Sequence, residues 1–209
     1  MTSTLHYIHD PMCSWCWGYR PVWDALQQKL PASLPVEYVA GGLAADTNSP
    51  MPMELQSAIQ GHWKNIQSKL GTEFNFDFWK TNTPRRSTYN ACRAAIAANH
   101  QGHQVTMIDA IQRAYYLRAL NPSDCDVLIG LATELHSQGF SVDEKRFSED
   151  LFSTETQTEL ERQIRLARQL THQGFPSLVL ECNGQRRSLV VDYMDYSVTL
   201  DEIMNTINQ

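Results

Sequence analysis

Polar and apolar residues alternate from Thr4 to His9, with Leu5, Tyr7 and His9 set against His6 and Ile8, and this period of two predicts a strand. A turn, Asp10-Pro11-Met12, follows. From Ser14 the period lengthens, with Val22, Leu26 and Leu30 recurring every four residues on one helical face until Pro31 ends it. Pro35 then introduces a second strand, Val36 to Ala40, which stops at Gly41-Gly42. A strand, a helix and a strand make a βαβ unit, for which parallel pairing and a right-handed crossover are expected.

Between about Asn48 and Asp150 no strand pattern occurs. Leu55, Ile59, Trp63, Ile66 and Leu70 form one helical stripe, Val105, Ile108, Ile111 and Tyr115 a second, and Val127, Leu128, Leu131 and Leu135 a third. Gly71, Thr83-Pro84, Gly102, Asn121-Pro122 and Gly139 separate them, with Ser123 and Ser141 as N-caps, the latter in a Ser141-x-x-Glu144 capping box. A long helix carrying Leu160, Ile164 and Ala167 on one face, flanked by Leu166 and Leu170, runs to a stop at Gly174. The period then returns to two: Ser177 to Glu181, a turn at Asn183-Gly184, and Arg187 to Val191 read as a hairpin. Thr199-x-x-Glu202 as capping box, with Val198 and Ile203 as hydrophobic staple, predicts a last helix from Leu200 to Ile207.

The order is therefore βαβ, a helical block, then ββα, an α/β chain of 209 residues whose only shift in character is the helical middle. Apolar residues make up 42% and charged residues 19%, enough to build a core, which excludes wholesale disorder. No stretch approaches the ~18 apolar residues of a membrane-crossing helix. The start, Met1-Thr2-Ser3-Thr4, has neither a basic nor an apolar leader segment, and the expectation is an unexported, cytoplasmic protein. A net charge of -6 without blocks of like charge argues against nucleic acid and anionic membranes as partners.

Cys13-Ser14-Trp15-Cys16 stands where the first strand hands over to the first helix. A helix start offers unpaired N–H groups and partial positive charge, which favour a thiolate, so Cys13 is the candidate nucleophile. Cys16, one turn on and on the same face, is the candidate resolving thiol. The alternatives are an ordinary buried pair or half of a zinc site. Pro21 interrupts the helix that follows and removes one of its hydrogen bonds. Gly174-Phe175-Pro176-Ser177 precedes the third strand, and Phe175-Pro176 is a candidate cis bond, a trans proline opening a strand being the alternative.

Taken together, this CxxC after the first strand, the interrupting proline, the helical insert and the Gly-Phe-Pro-Ser segment before a ββα ending resemble the DsbA family of thioredoxin-fold proteins. Asp10-Pro11-Met12-Cys13-Ser14-Trp15-Cys16-Trp17-Gly18 is most similar to the FrnE-like branch, related to 2-hydroxychromene-2-carboxylate isomerases and kappa-class glutathione transferases. The likeness spans the chain and is loose in the middle, where Asn82-Thr83 and Tyr89-Asn90-Ala91-Cys92-Arg93-Ala94 carry it. It implies a thioredoxin-like domain of residues 1–45 and 150–209, a helical insertion domain of 46–149, dithiol chemistry at Cys13, and Pro176 in cis. Two departures stand out. Tyr7 takes the place of the buried acid of thioredoxin, leaving Asp10 and His9 as candidate proton acceptors. Trp15 takes the place of the histidine that keeps exported DsbA enzymes oxidising, so a strongly oxidising poise is not implied.

Trp15, Phe175, Pro176 and Met12 are the candidate substrate-binding residues, whereas Trp17 and Tyr19 read as core. His6 with His9, and His100 with His103, are poorly spaced for a shared ion, and no metal site is expected. Cys92, Cys125 and Cys182 read as buried, inert thiols, and Arg85-Arg86 and Arg186-Arg187 as solvated charges; Arg85, Arg86 or Arg93 could meet a glutathione carboxylate. The leading expectation is a thiol-disulfide oxidoreductase acting on protein or small disulfides, with no bound cofactor and with glutathione as the co-substrate the resemblance allows. Behind it stand a glutathione-dependent isomerase or transferase of the same fold, and a chaperone-like module that holds polypeptides.

Overall fold

The computed structural model of the protein describes residues 3–208; Met1 and Thr2, on which the unexported reading partly rests, and Gln209 lie outside them. Strand β1 (Ser3–His9) is central, pairing in parallel with β2 (Val36–Ala40) and antiparallel with β3 (Ser177–Cys182), which pairs antiparallel with β4 (Gln185–Leu189). The sheet order is β2-β1-β3-β4. Leu5 lies beside Val36 on one side and Leu180 on the other, so the apolar positions of three strands coincide. Their two faces bury different partners. Leu5, Tyr7, Leu178 and Leu180 pack with Tyr19, Trp23 and Leu26 of α1 (Ser14–Gln27) and Ile203 of α9 (Tyr196–Ile207), whereas Ile8, Val39 and Val179 pack with Ala167 and Leu170 of α8 (Thr154–Leu170).

The chain from 53 to 151 is helical: α2 (Met53–Leu70), α3 (Phe78–Thr81), α4 (Tyr89–Asn99), α5 (Gln104–Tyr116), α6 (Cys125–Ser137) and α7 (Glu144–Leu151). At its middle, α4 buries Ala91, Cys92, Ala94, Ala95, Ile96, Ala97 and Ala98, small side chains that let α5, α7 and α8 all approach it. Gly18 of α1 meets α2 closely, where an added Cβ would stand 2.9 Å from Ile66 Cγ2.

Several local expectations need correction. Helix α1 ends at Gln27, three residues before Leu30, and its buried face is Tyr19, Trp23 and Leu26, with Val22 at the margin. Val105 is exposed and Met107 takes the buried place on α5. Asp143, not Ser141, caps α7, its carboxylate accepting from Arg146 N–H at 2.9 Å, while Ser141 Oγ sits 3.1 Å from His103 Nε2. Asp124 holds the N-cap position of α6, and Ser123 Oγ donates to the Ser87 carbonyl. Helix α8 ends at Leu170, so Gly174 lies in the loop beyond it. Helix α9 starts at Tyr196 on an Asp195 cap; Thr199 lies inside it and donates to Val190 O at 2.7 Å, and Glu202 accepts from Val190 N. The β4 strand comes two residues early, because Asn183 (φ 52°) and Gly184 (φ 78°) make a two-residue turn that fixes the register Cys182 to Gln185.

Candidate functional site

Cys13 is the N-cap of α1, with extended backbone (φ -83°, ψ 118°) and a side chain that makes no capping bond. The turn before it is closed by Cys13 N–H donating to Asp10 O at 3.0 Å. This leaves the sulfur over the first turn of the helix, where the N–H groups of Cys16 and Trp15 point. The Cys13 thiol is lowered from its ordinary value, chiefly by hydrogen bonding from the Cys16 thiol, and against the opposing effects of burial and of the Asp10 charge. Cys16 goes the other way. It is fully buried, and burial, the Cys13 sulfur and Asp10 push its thiol well above the ordinary value. The two sulfurs, one helical turn apart, thus differ strongly in acidity.

Across the active surface, Cys13 Sγ donates to the carbonyl oxygen of Phe175 at 3.5 Å, and the Phe175–Pro176 peptide bond is cis. The tip of the Phe175 ring fills the space beside Gly41, where an added Cβ would come within 2.0 Å of Cζ. Gly41 in turn donates to His9 O at 2.7 Å, so β1, β2 and the Phe175 loop meet at one point. An open cavity of about 270 Å³ lies behind this loop, lined by Gly41, Arg168, Thr171, His172 and Phe175 among others.

Asp10 is completely buried. Its Oδ1 accepts from Met12 N–H at 2.8 Å; its Oδ2 accepts from Leu43 N–H and Thr88 Oγ1, both at 2.7 Å, and from Cys92 Sγ at 3.5 Å. Burial raises the carboxyl from its ordinary value in spite of these four donors. His9, its neighbour in sequence, is elsewhere in space: its ring stacks on Tyr7 at 5.2 Å, meets the Tyr38 ring edge-on, and burial drives it down to about 3. Tyr7 itself stacks on Trp23 at 4.3 Å. Tyr7, Tyr116 and Tyr193 surround the cysteines, each phenol raised by burial first and by the nearby sulfurs in addition.

The four candidate substrate residues divide. Trp15 is half-buried with its ring edge-on to Tyr193 at 5.3 Å, and Phe175 is half-buried. Pro176 is buried behind it. Met12 packs into the core of the helical segment and has little surface to offer. Trp17, read as core, is partly buried, stacked on Tyr116 at 5.6 Å and donating to Glu73 O; Tyr19 is buried.

Among the remaining candidates, Arg85 is paired with Asp124, and Arg93 with Asp46, Asn90 and Gln157, so neither is a free cation at the cysteines. Arg186 pairs with Glu181 at 2.7 Å. Cys125 and Cys182 are only half-buried, in contrast to their reading as core thiols, because the first residue of α6 and the end of β3 both face outward in part. Among the described residues no three His, Cys, Asp or Glu gather as a metal site. No described helix is long and apolar enough to cross a membrane. Thr88, Leu43 and Tyr193 carry no sequence signal that would have placed them here, and the segment around Cys92, though it bears the family resemblance, does not place that thiol beside Asp10.

The thioredoxin family model matches residues 6–200, which takes in the Cys13-x-x-Cys16 turn, the helical segment and the Phe175–Pro176 loop. The chain belongs to the thioredoxin family. Its βαβ, helical insert and ββα arrangement is the fold also seen in the oxidoreductase DsbA from Xylella fastidiosa, at 14% identity and a TM-score of 0.60. A candidate protein disulfide isomerase from Nitrosomonas europaea is 28% identical, with 99% of each chain covered and a TM-score of 0.85. The cytosolic disulfide reductase DsbM from Pseudomonas aeruginosa, also solved with GSH, is 25% identical, with 97% of this chain and 99% of that chain covered and a TM-score of 0.78. The ClpXP adapter protein SpxH from Halalkalibacterium halodurans is 24% identical over 155 residues, 71% of this chain. The match spans about half, 49%, of that curated relative's length.

Proposed function

We propose that this protein is a thiol-disulfide oxidoreductase in which Cys13 attacks and Cys16 resolves. The observation that carries the reading is the split in acidity at the start of α1: a lowered thiol at the N-cap, beside a buried and raised one a turn later. Cys13 thiolate attacks one sulfur of a substrate disulfide, the substrate S–S bond breaks, and one substrate thiolate leaves and takes a proton. Cys16 then loses its proton and attacks Cys13 Sγ; the Cys13–substrate bond breaks, the Cys13–Cys16 disulfide forms, and the second substrate thiol is released. The substrate has gained two electrons and the dithiol has lost two. The reverse sequence oxidises a dithiol.

Because Cys16 is raised, its proton needs an acceptor. Asp10 fills that role better than His9, since burial raises its carboxyl and makes it a readier proton acceptor than a free carboxylate, whereas burial drives the His9 imidazole down to about 3 and so makes it a poorer one. Trp15 and Phe175 flank the sulfurs and form the substrate surface, with the buried Pro176 and Met12 beneath it as support.

Glutathione is the co-substrate or reductant, and the cytoplasm the compartment, by kinship with DsbM and because a tryptophan, not a histidine, lies between the cysteines. The chain falls in the FrnE-like branch, its residues 46–149 acting as a helical domain over the thioredoxin-like part. The test is a titration in glutathione redox buffers followed by Trp fluorescence and thiol count, with Cys13→Ser and Cys16→Ser alongside. A reversible two-electron transition absent from both variants supports the proposal. Full disulfide-reducing activity without Cys16 points instead to glutathione-dependent isomerase or transferase chemistry, and polypeptide holding that survives loss of both cysteines to a chaperone-like role.

A further inference from the structure

Thr88 precedes the first residue of α4 and has the residue type of a good N-cap, yet its hydroxyl makes no capping bond. It is buried and turned the other way. Its Oγ1 accepts from Ala44 N–H at 3.1 Å and has two acceptors within reach of its single proton: Asp10 Oδ2 at 2.7 Å and Ala44 O at 3.4 Å. A threonine that forgoes the cap of its own helix, in favour of a carboxylate 78 residues away, has a use for that carboxylate.

The two acceptors match the two states of Asp10. When Asp10 is ionised, all four of its neighbours donate, and Thr88 gives its proton to Oδ2. When Asp10 holds a proton on Oδ2, that new O–H needs an acceptor. Leu43 N–H and Met12 N–H cannot serve, but Thr88 Oγ1 can, if its own proton swings to the Ala44 carbonyl. The Thr88 hydroxyl and the acid proton thus keep a partner in both states, which lowers the cost for a buried acid to change charge.

We propose that Thr88 is a positioning residue of the redox site, a hydroxyl that turns between Asp10 and Ala44 as Asp10 takes up and releases the Cys16 proton. The step is balanced: the Cys16 S–H bond breaks, the Asp10 O–H bond forms, and the Thr88 proton changes acceptor without being transferred. Cys92, the neighbouring donor on α4, supports Oδ2 in the ionised state. The groups that face Asp10 are Cys13 and Cys16 from α1, Cys92 from α4, and Tyr115 and Tyr116 from α5, whose phenols its charge raises. Among the described residues no Lys, Arg or His is paired with it, so hydrogen bonds alone balance its charge. The inference rests on Asp10 being the proton acceptor.

An infrared titration of the reduced protein tests it, the Asp10 carboxyl band being assigned by its loss in Asp10→Asn. Thr88→Val removes both the donor and the acceptor, and the Asp10 midpoint is expected to rise by about one to two pH units, while Thr88→Ser stays within a few tenths of the wild type. Thr88→Ala, which makes no new contact, gives the same reading if valine disturbs the fold. A midpoint unmoved in folded Thr88→Val or Thr88→Ala overturns the role of Thr88. If Asp10 titrates but proton uptake on forming the dithiol is the same in Asp10→Asn, the acceptor reading fails; if Cys13 and Cys16 do not cycle at all, the oxidoreductase reading fails.

Discussion

Gly41 and Phe175, far apart in the chain, are in contact through the absence of a side chain: the Phe175 ring occupies the space that a Cβ on residue 41 would need. The same residue, Phe175, holds its carbonyl oxygen 3.5 Å from Cys13 Sγ. Gly41→Ala must therefore lift the ring and with it the carbonyl. The expected cost is about 1–3 kcal/mol of folding stability, read by denaturant titration, together with a changed rate of Cys13 alkylation. Unchanged alkylation in a destabilised variant would separate the packing from the chemistry.

His9 controls how the fold responds to acid. Its folded value of about 3, set by burial, compares with an ordinary value of 6.5, so between those limits the unfolded chain binds a proton that the native one refuses. Stability contributed by the neutral ring is complete above pH 6.5 and is lost as the pH falls toward 3. At ~1.4 kcal/mol per pH unit, the loss amounts to about 5 kcal/mol across the window. His9→Phe keeps the stack on Tyr7 and removes the proton site; its stability is expected to lack this slope in urea titrations at a series of pH values.

Asp10→Asn takes a negative charge away from both sulfurs. Since that charge raises Cys13 and Cys16, both thiols should become more acidic, and the midpoint of Cys13 alkylation should move to lower pH. The amide places an N–H group among four donors, which costs about 1–3 kcal/mol of stability. The two effects have opposite signs for activity and stability, and measuring alkylation and unfolding on the same variant separates them.

Trp15→Ala tests whether the half-buried ring meets substrate. The half-buried ring meets Tyr193 edge-on and packs against the core of the helical segment, so stability should fall by about 1–3 kcal/mol. The rate constant kcat/KM for a peptide disulfide is expected to drop roughly three- to tenfold, a loss of the size one aromatic contact supplies. Reaction of Cys13 with a small alkylating agent should be unaffected, because backbone N–H groups and Cys16 stabilise the thiolate.

The two ends of the chain were readable because their signals are local. A period of two, a CxxC at a change of period, a proline inside a helix and Asn-Gly between apolar runs each reflect neighbours in sequence, and the strands and the hairpin followed from them. Helix starts were harder. Ser141 and Thr199 match a capping pattern, but Asp143 and Asp195 lie closer to the true starts and accept more strongly, which frees Ser141 to meet His103 and Thr199 to reach Val190. The surroundings of Asp10 were out of reach altogether. Thr88 and Cys92 stand 78 and 82 residues away, and Leu43 contributes only a backbone N–H, which no pattern of side chains encodes.

Helix α4 touches Asp10 at its first turns and rests along its length on α5, α7 and α8. The donors that face the Asp10 carboxylate from this side are thus carried by the same helix that joins the helical segment together, and a substitution that moves α4 moves them with it.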